Sequence, residues 1–402
     1  MNRRILLCLL AAAGAHAEPV KFSDPPHSYW TRPLKDRLSP LITAIETGKV
    51  PLDASSDLAF LRSILRLLEV PESSQMLVFS ATSLQQAIIS PANPRALYFN
   101  EETYVGYIPG GKIEVISMDP ALGAIFHIIP VPRGGYPQVE RSTKCMNCHV
   151  DAETRNVPGL VVKSVIPGPN GGSLMAFRKE QNGHAVPFAE RFGGWYLTGK
   201  HGITGHWGNV AGRFNAGQLT KIPLDPAARF EASRHLRATS DILPQLIHEH
   251  QAGFDNRVIE AAYRTRELLT AKAPDAPAQI EKFARDLARY ILFADEAALP
   301  GPVEGDPDYK ADFLRNQRLV GTASLKAFEL KTRLFRFRCS YMIYSPLFQG
   351  LDPALKQRIY RRIGQALDTT RPDAEFAYLP VAEKQGIRTI LRATLRELPA
   401  GW

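Results

Sequence analysis

The hydrophobic period of this chain changes once, and that change restricts the folds open to it. From Met76 to about Ile166 short apolar runs follow one another: Met76-Leu77-Val78-Phe79, Ala96 to Phe99, Tyr104 to Ile108, Lys112 to Ile116, Ala124 to Ile129 and Leu160 to Ile166. They are rich in β-branched and aromatic residues and are separated by turn signals such as Pro109-Gly110-Gly111 and Asp119-Pro120, which is the pattern of strands. The gaps are too short for crossover helices, so the strands should pair antiparallel. A helix over Leu58 to Leu68 should precede them, since its leucines, Phe60 and Ile64 recur at helical intervals. Beyond about residue 235 the period is helical. Ser240-Asp241 can cap a helix carrying Leu243, Leu246, Ile247, Val258 and Ile259, and more helices are expected at 278–297, 309–343, 353–368 and 380–397. The reading is α+β: an antiparallel β-rich domain over 18–232 and a helical domain over 233–402.

Between two of the strand runs stands Cys145-Met146-Asn147-Cys148-His149, the C-x-x-C-H spacing of covalent c-type haem attachment. Two thiols three residues apart can each form a thioether with a haem vinyl group, and the histidine after the second is placed to reach the iron. With cysteine so scarce, chance would produce the pattern on the order of once per thousand chains of this length. No second cysteine pair exists to complete a zinc site, and the turn-rich flanks do not suit a thioredoxin-like βαβ context. A structural disulfide would not call for His149. The expectation is one covalent haem c on Cys145 and Cys148 with His149 as axial ligand.

The first seventeen residues read as a secretory signal peptide. Arg3 and Arg4 precede an apolar run from Ile5 to Ala13, and Ala15-His16-Ala17 supplies small residues at the cleavage site. The run is far short of the ~20 residues a spanning helix needs, and no other segment qualifies, so stable membrane insertion is not expected. The expected address is the periplasm. Loss of Cys8 with the signal leaves Cys145, Cys148 and Cys339, an odd number; Cys339 reads as a small buried residue. The 49 basic residues against 40 acidic ones give a formal charge of +9 that no basic block concentrates. That argues against nucleic acid and is compatible with an acidic redox partner protein. No phosphate-binding glycine loop, G-x-S-x-G elbow or H-E-x-x-H is present.

A second axial position decides what such a haem can do, because two strong protein ligands suit electron transfer and an open position admits a small molecule. His127, His184, His201, His206, His235, His248, His250, Met118 and Met175 are available. His201 and His206 rank first, since their loop carries Gly199, Gly202, Gly205 and Gly208, whose backbone can approach a flat cofactor. His250, between Glu249 and Gln251, reads as part of a solvated polar face, Met118 and Met175 as core, and Trp195 and Tyr196 as core aromatics. Arg333, Arg336 and Arg338 read as one charged edge of an amphipathic helix.

Several further stretches carry a likeness. These are Ile89-Ser90-Pro91, Asn93 to Asn100, Gly193-Gly194-Trp195-Tyr196, Thr198-Gly199, His201-Gly202, His206, Gly208-Asn209, Glu249-His250-Gln251, Cys339-Ser340-Tyr341 and Ile343-Tyr344-Ser345. Together with Cys145 to His149 they make the chain resemble a family of exported bacterial c-type cytochrome-like proteins with a single C-x-x-C-H. The resemblance implies haem and export and leaves the activity open. Electron transfer is the expected role. The alternative is a haem-dependent oxidoreductase or peroxidase-like enzyme with an open iron position, and gas sensing would use the same open site without turnover.

Overall fold

The computed structural model describes residues 19–176 and 183–402. The expected signal peptide, with Cys8, lies outside the described residues. The strand runs pair as read, into a seven-stranded antiparallel sheet built from β1 (Met76–Val78), β2 (Arg95–Phe99), β3 (Thr103–Tyr107), β4 (Ile113–Asp119), β5 (Gly123–Ile129), β6 (Glu140–Arg141) and β9 (Trp195–Tyr196), in the order β6-β5-β4-β3-β2-β1-β9. Two hairpins, β7 (Val165–Pro167) with β8 (Ser173–Ala176) and β10 (Val210–Asn215) with β11 (Gln218–Pro223), stand apart. Residues 160–164, expected as strand, are in no strand, and pairing begins only at Val165.

Side chains alternate between the two faces of the sheet. Leu77, Ala96, Tyr98, Val105, Tyr107, Ile113 and Val115 meet the preceding helices, α1 (Ile42–Glu46) and α2 (Asp57–Leu67). Ser56 caps α2 by accepting from the Ala59 amide, and the helix buries Phe60, Leu61, Ile64 and Leu65. The opposite face carries Met76, Phe99, Tyr104, Met118, Ala124, Phe126 and Trp195. It is covered by α5 (Ile242–Thr270) and by the chain between the turn α3 (Met146–His149) and β8; α4 (Pro226–Arg229) follows β11. α5 is one 29-residue helix. Asp241 caps it by accepting from the Leu243 amide, and Ser240 ties it to Thr198 just past β9.

The rest of the helical half is α6 (Ala276–Ile291), α7 (Pro307–Leu314), α8 (Pro346–Gln349), α9 (Pro353–Ala366) and α10 (Val381–Thr394). α+β therefore stands. The apolar cluster on the α5 face of the sheet runs without a break through α5 and α6 into α9 and α10, so the residues either side of 232 share one core.

The long helix expected over 309–343 is not formed beyond Leu314. Glu329 Oε2 takes the amides of Thr332, Arg333 and Lys331 at 2.7, 2.9 and 3.0 Å, so none of the three is left for a helical ladder. Leu330 sits at φ +60°, outside the helical region for a branched side chain. Arg338 consequently lies on no helix edge; it pairs with Glu383 at 2.7 Å. No helix among the described residues is long and apolar enough to cross a membrane.

Candidate functional site

Cys145 to His149 form a single helical turn after β6, with His149 N–H bonding back to the Cys145 carbonyl at 3.0 Å. All three cysteines of the described residues are free: Cys148 is exposed, Cys145 half-buried and Cys339 buried, as the sequence suggested for the last. Burial pushes the Cys145 thiol up, and a hydrogen bond with Ser142 opposes it. The turn therefore presents two thiols at its rim and lays the His149 ring inward on Phe126, centroid to centroid 4.7 Å.

The orientation of that ring is fixed from outside the turn. His149 Nδ1 lies 2.8 Å from the carbonyl oxygen of Gly159. A carbonyl only accepts, so Nδ1 carries the proton and Nε2 keeps a bare lone pair. Burial pushes His149 down to about 4, with the Gly159 bond pulling the other way, so the ring is neutral near pH 7. Gly159 is held in turn by α5. Asn256 Oδ1 accepts from the Leu160 amide and its Nδ2 donates to the Leu160 carbonyl, both at 2.7 Å. A side chain at 159 has no room, because a Cβ there would stand 2.4 Å from Asn256 Oδ1.

The sheet beneath has an incomplete cover. Val105 and Val115, facing α2, are 0% and 1% exposed. Leu97 and Ile116, on equally central strands but facing α5, are only partly buried. Around them lie Arg95 and Glu114, joined at 2.8 Å, and Gly106, paired with both Leu97 and Glu114 in the ladder. A Cβ on Gly106 would meet the Arg95 guanidinium at 2.9 Å. The glycine thus admits an ion pair lying across β3, at the usual cost of glycine inside a strand. Burial raises the Glu114 carboxyl, but Arg95, Gln85 and Ser83 together hold it below its ordinary value.

For a haem the residues present fit. A neutral imidazole with its outer nitrogen anchored on a carbonyl is the arrangement that presents the other to a metal. The two thiols adjoin it unpaired, and accessible apolar surface lies beside it. Among the described residues no group of three or more His, Cys, Asp or Glu side chains is arranged to hold a bare metal ion.

His201 and His206 adjoin each other at 5.8 Å and belong elsewhere. His206 packs its ring edge on Phe192 at 5.7 Å and accepts from the Gly208 amide, while His201 bridges to Val303. That loop follows β9, whereas His149 rests on β5. The two strands stand five places apart in the sheet order, about 24 Å at roughly 4.8 Å per strand. None of the contacts of either histidine involves the Cys145 to His149 turn. His127 faces away from His149, sharing the α2 side with Val115, Met118 is core, and Met175 is exposed.

Two buried histidine arrangements escaped the sequence reading. His250 is fully buried rather than solvated, with Nδ1 2.8 Å from His184 Nδ1 and Nε2 2.8 Å from Ser340 Oγ. Gln251 joins Asn100, Tyr104 and Tyr341 through its side chain. His248, two residues before His250, lies against Phe99 and Tyr104 at 5.3 and 5.6 Å. The clustering of Glu249-His250-Gln251 with Ser340-Tyr341 was the signal available in the sequence.

No family model, no curated protein and no solved structure matches this chain.

Proposed function

We propose that the chain is an exported, periplasmic c-type cytochrome that carries one haem on Cys145 and Cys148, with His149 as an axial ligand, and transfers electrons. The observation that carries the reading is the His149 ring: Nδ1–H spent on Gly159, Nε2 bare, and two free thiols on the same turn. Cys145 and Cys148 would hold the group through thioethers, by an addition of thiol to vinyl that consumes no oxidant. Burial keeps the imidazole neutral, Gly159 keeps it aimed, Asn256 holds the neighbouring Leu160 in place, and Leu97 and Ile116 offer apolar surface that excludes water. Bound there, haem supplies a one-electron couple whose potential axial ligation and burial set. The positive formal charge suits an acidic redox partner. The alternative, a haem-dependent oxidoreductase, draws on one observation, the His248 imidazole, which packs on Phe99 and Tyr104 and makes no side-chain hydrogen bond among the described residues.

The experiment is expression with a c-type maturation system, followed by periplasmic fractionation. Protein beginning at Glu18 should keep haem-dependent peroxidase staining after denaturation, and Cys148→Ala should lose most of it. A wild-type band without haem would end this reading.

A further inference from the structure

Pairing in the ladder puts Phe99 opposite Tyr104, Tyr104 opposite Ile116 and Ile116 opposite Phe126. Directly paired residues point to the same face, so these four side chains form one row on the α5 side, crossing β2, β3, β4 and β5. His149 lies over one end of the row, at Phe126. His248 lies over the other, edge-on to Phe99 and Tyr104. Between the two imidazoles stands Ile116, which is only partly covered. Tyr104 and Phe126 are two strands apart, about 10 Å at roughly 4.8 Å per strand. The buried histidines of α5 also differ in how they use their nitrogens. His250 engages both, with His184 and Ser340. His248, only 6% exposed, has no hydrogen bond on either nitrogen among the described residues and borders a small void with Met76, Val162, Phe192 and Trp195.

We infer that His248 is the residue facing His149 across the slot above Ile116, the group that meets the second axial position of a haem held by His149. This rests on the haem reading and takes the distal role from His201 and His206. The row fixes the orientation: α5 brings His248 to the sheet face that the haem-binding turn covers, and Trp195 on β9 closes the far side at 6.4 Å from its ring.

The test compares wild type with His248→Ala, His248→Gln and His248→Gly, beside His201→Ala and His206→Ala, all as the full exported protein with haem attached. Covalent haem is read on a denaturing gel, which does not depend on the fold. Spin state of the ferric spectrum and carbon monoxide affinity of the ferrous protein are then measured. The His248 variants should change spin state and shift carbon monoxide affinity by at least about fivefold, the lever being polarity on the distal side. Added imidazole should restore the wild-type spectrum of His248→Gly, which a loss of packing would not allow. His201→Ala and His206→Ala should match wild type. Haem-bearing His248 variants with unchanged spectra and affinity would overturn this inference alone. Wild-type protein without covalent haem would overturn the reading beneath it as well.

Discussion

Asp255 sits on α5 against Tyr104. Tyr104 donates its hydroxyl to one carboxylate oxygen at 2.9 Å, and the other oxygen is buried without a hydrogen bond. Burial pushes its carboxyl up to about 8 against the opposing bond from Tyr104. The folded chain therefore holds a proton that the unfolded chain releases near pH 4. Between about pH 4 and 8 the native state binds more protons than the unfolded one, so this group's contribution to stability falls as pH rises, by up to ~1.4 kcal/mol per pH unit. Asp255→Asn removes the titration while keeping the shape. Urea melts should show the variant gaining on wild type from pH 5 to pH 8; a difference that does not vary with pH would mean an ordinary carboxylate.

At the scale of the element, α5 does more than cover the sheet. Its first half sets His248 against Phe99 and Tyr104, and its second half holds Leu160 through Asn256, one residue from the carbonyl that orients His149. Asn256→Ala removes both bonds to Leu160 and should lower stability by about 2 kcal/mol. On the proposed haem reading it should also loosen His149 enough to change the spectrum of the haem-loaded protein. Unaltered melting and spectra would separate the helix from the orientation of the ring. This double use was not legible in the sequence. Strands β1 to β5 were, because turn residues punctuate short β-branched runs, and so was the thiol pair. The helical period located α5 but hid its polar residues. Both sides of that helix are buried, so Glu249, His250 and Gln251, read as a wet edge, face protein instead. The long helix expected after Leu314 failed because a side chain, Glu329, captured amides that propensity assigns to the ladder. His201 and His206 drew attention through local glycines, whereas distance from His149 depends on strand order, which no local pattern encodes.

Over the whole molecule, burial leaves an unusual number of neutral imidazoles. His149, His235 and His248 are pushed to about 4 and His250 to about 3, in each case by burial first, and His184 is lowered well below its ordinary value by the same cause. Each has a folded pKa below its unfolded one near 6.5. Their stabilising contribution is complete above that value and is lost as pH falls towards about 4. Burial lowers His27, His127 and His206 in the same sense, while Asp255 and Glu296, pushed up to about 8 and about 7, and the raised Glu102 and Asp241 act in the other. The melting temperature should fall steeply between pH 6.5 and 4.5, with net proton uptake on unfolding measurable by calorimetry in buffers of different ionisation heat. A flat profile across that interval would mean that these rings are hydrated in the folded protein.

The unbroken core has a consequence for how the molecule can be taken apart. Phe99, Tyr104, Met118 and Phe126 find their cover on a helix that begins more than a hundred residues after them. A chain cut after residue 232 would keep the thiols and the whole sheet yet lose the part of that cover which α5 supplies. The Cys145 to His149 turn is thus not a portable cassette: it can be lifted out as a peptide, but its surroundings come only with the entire polypeptide.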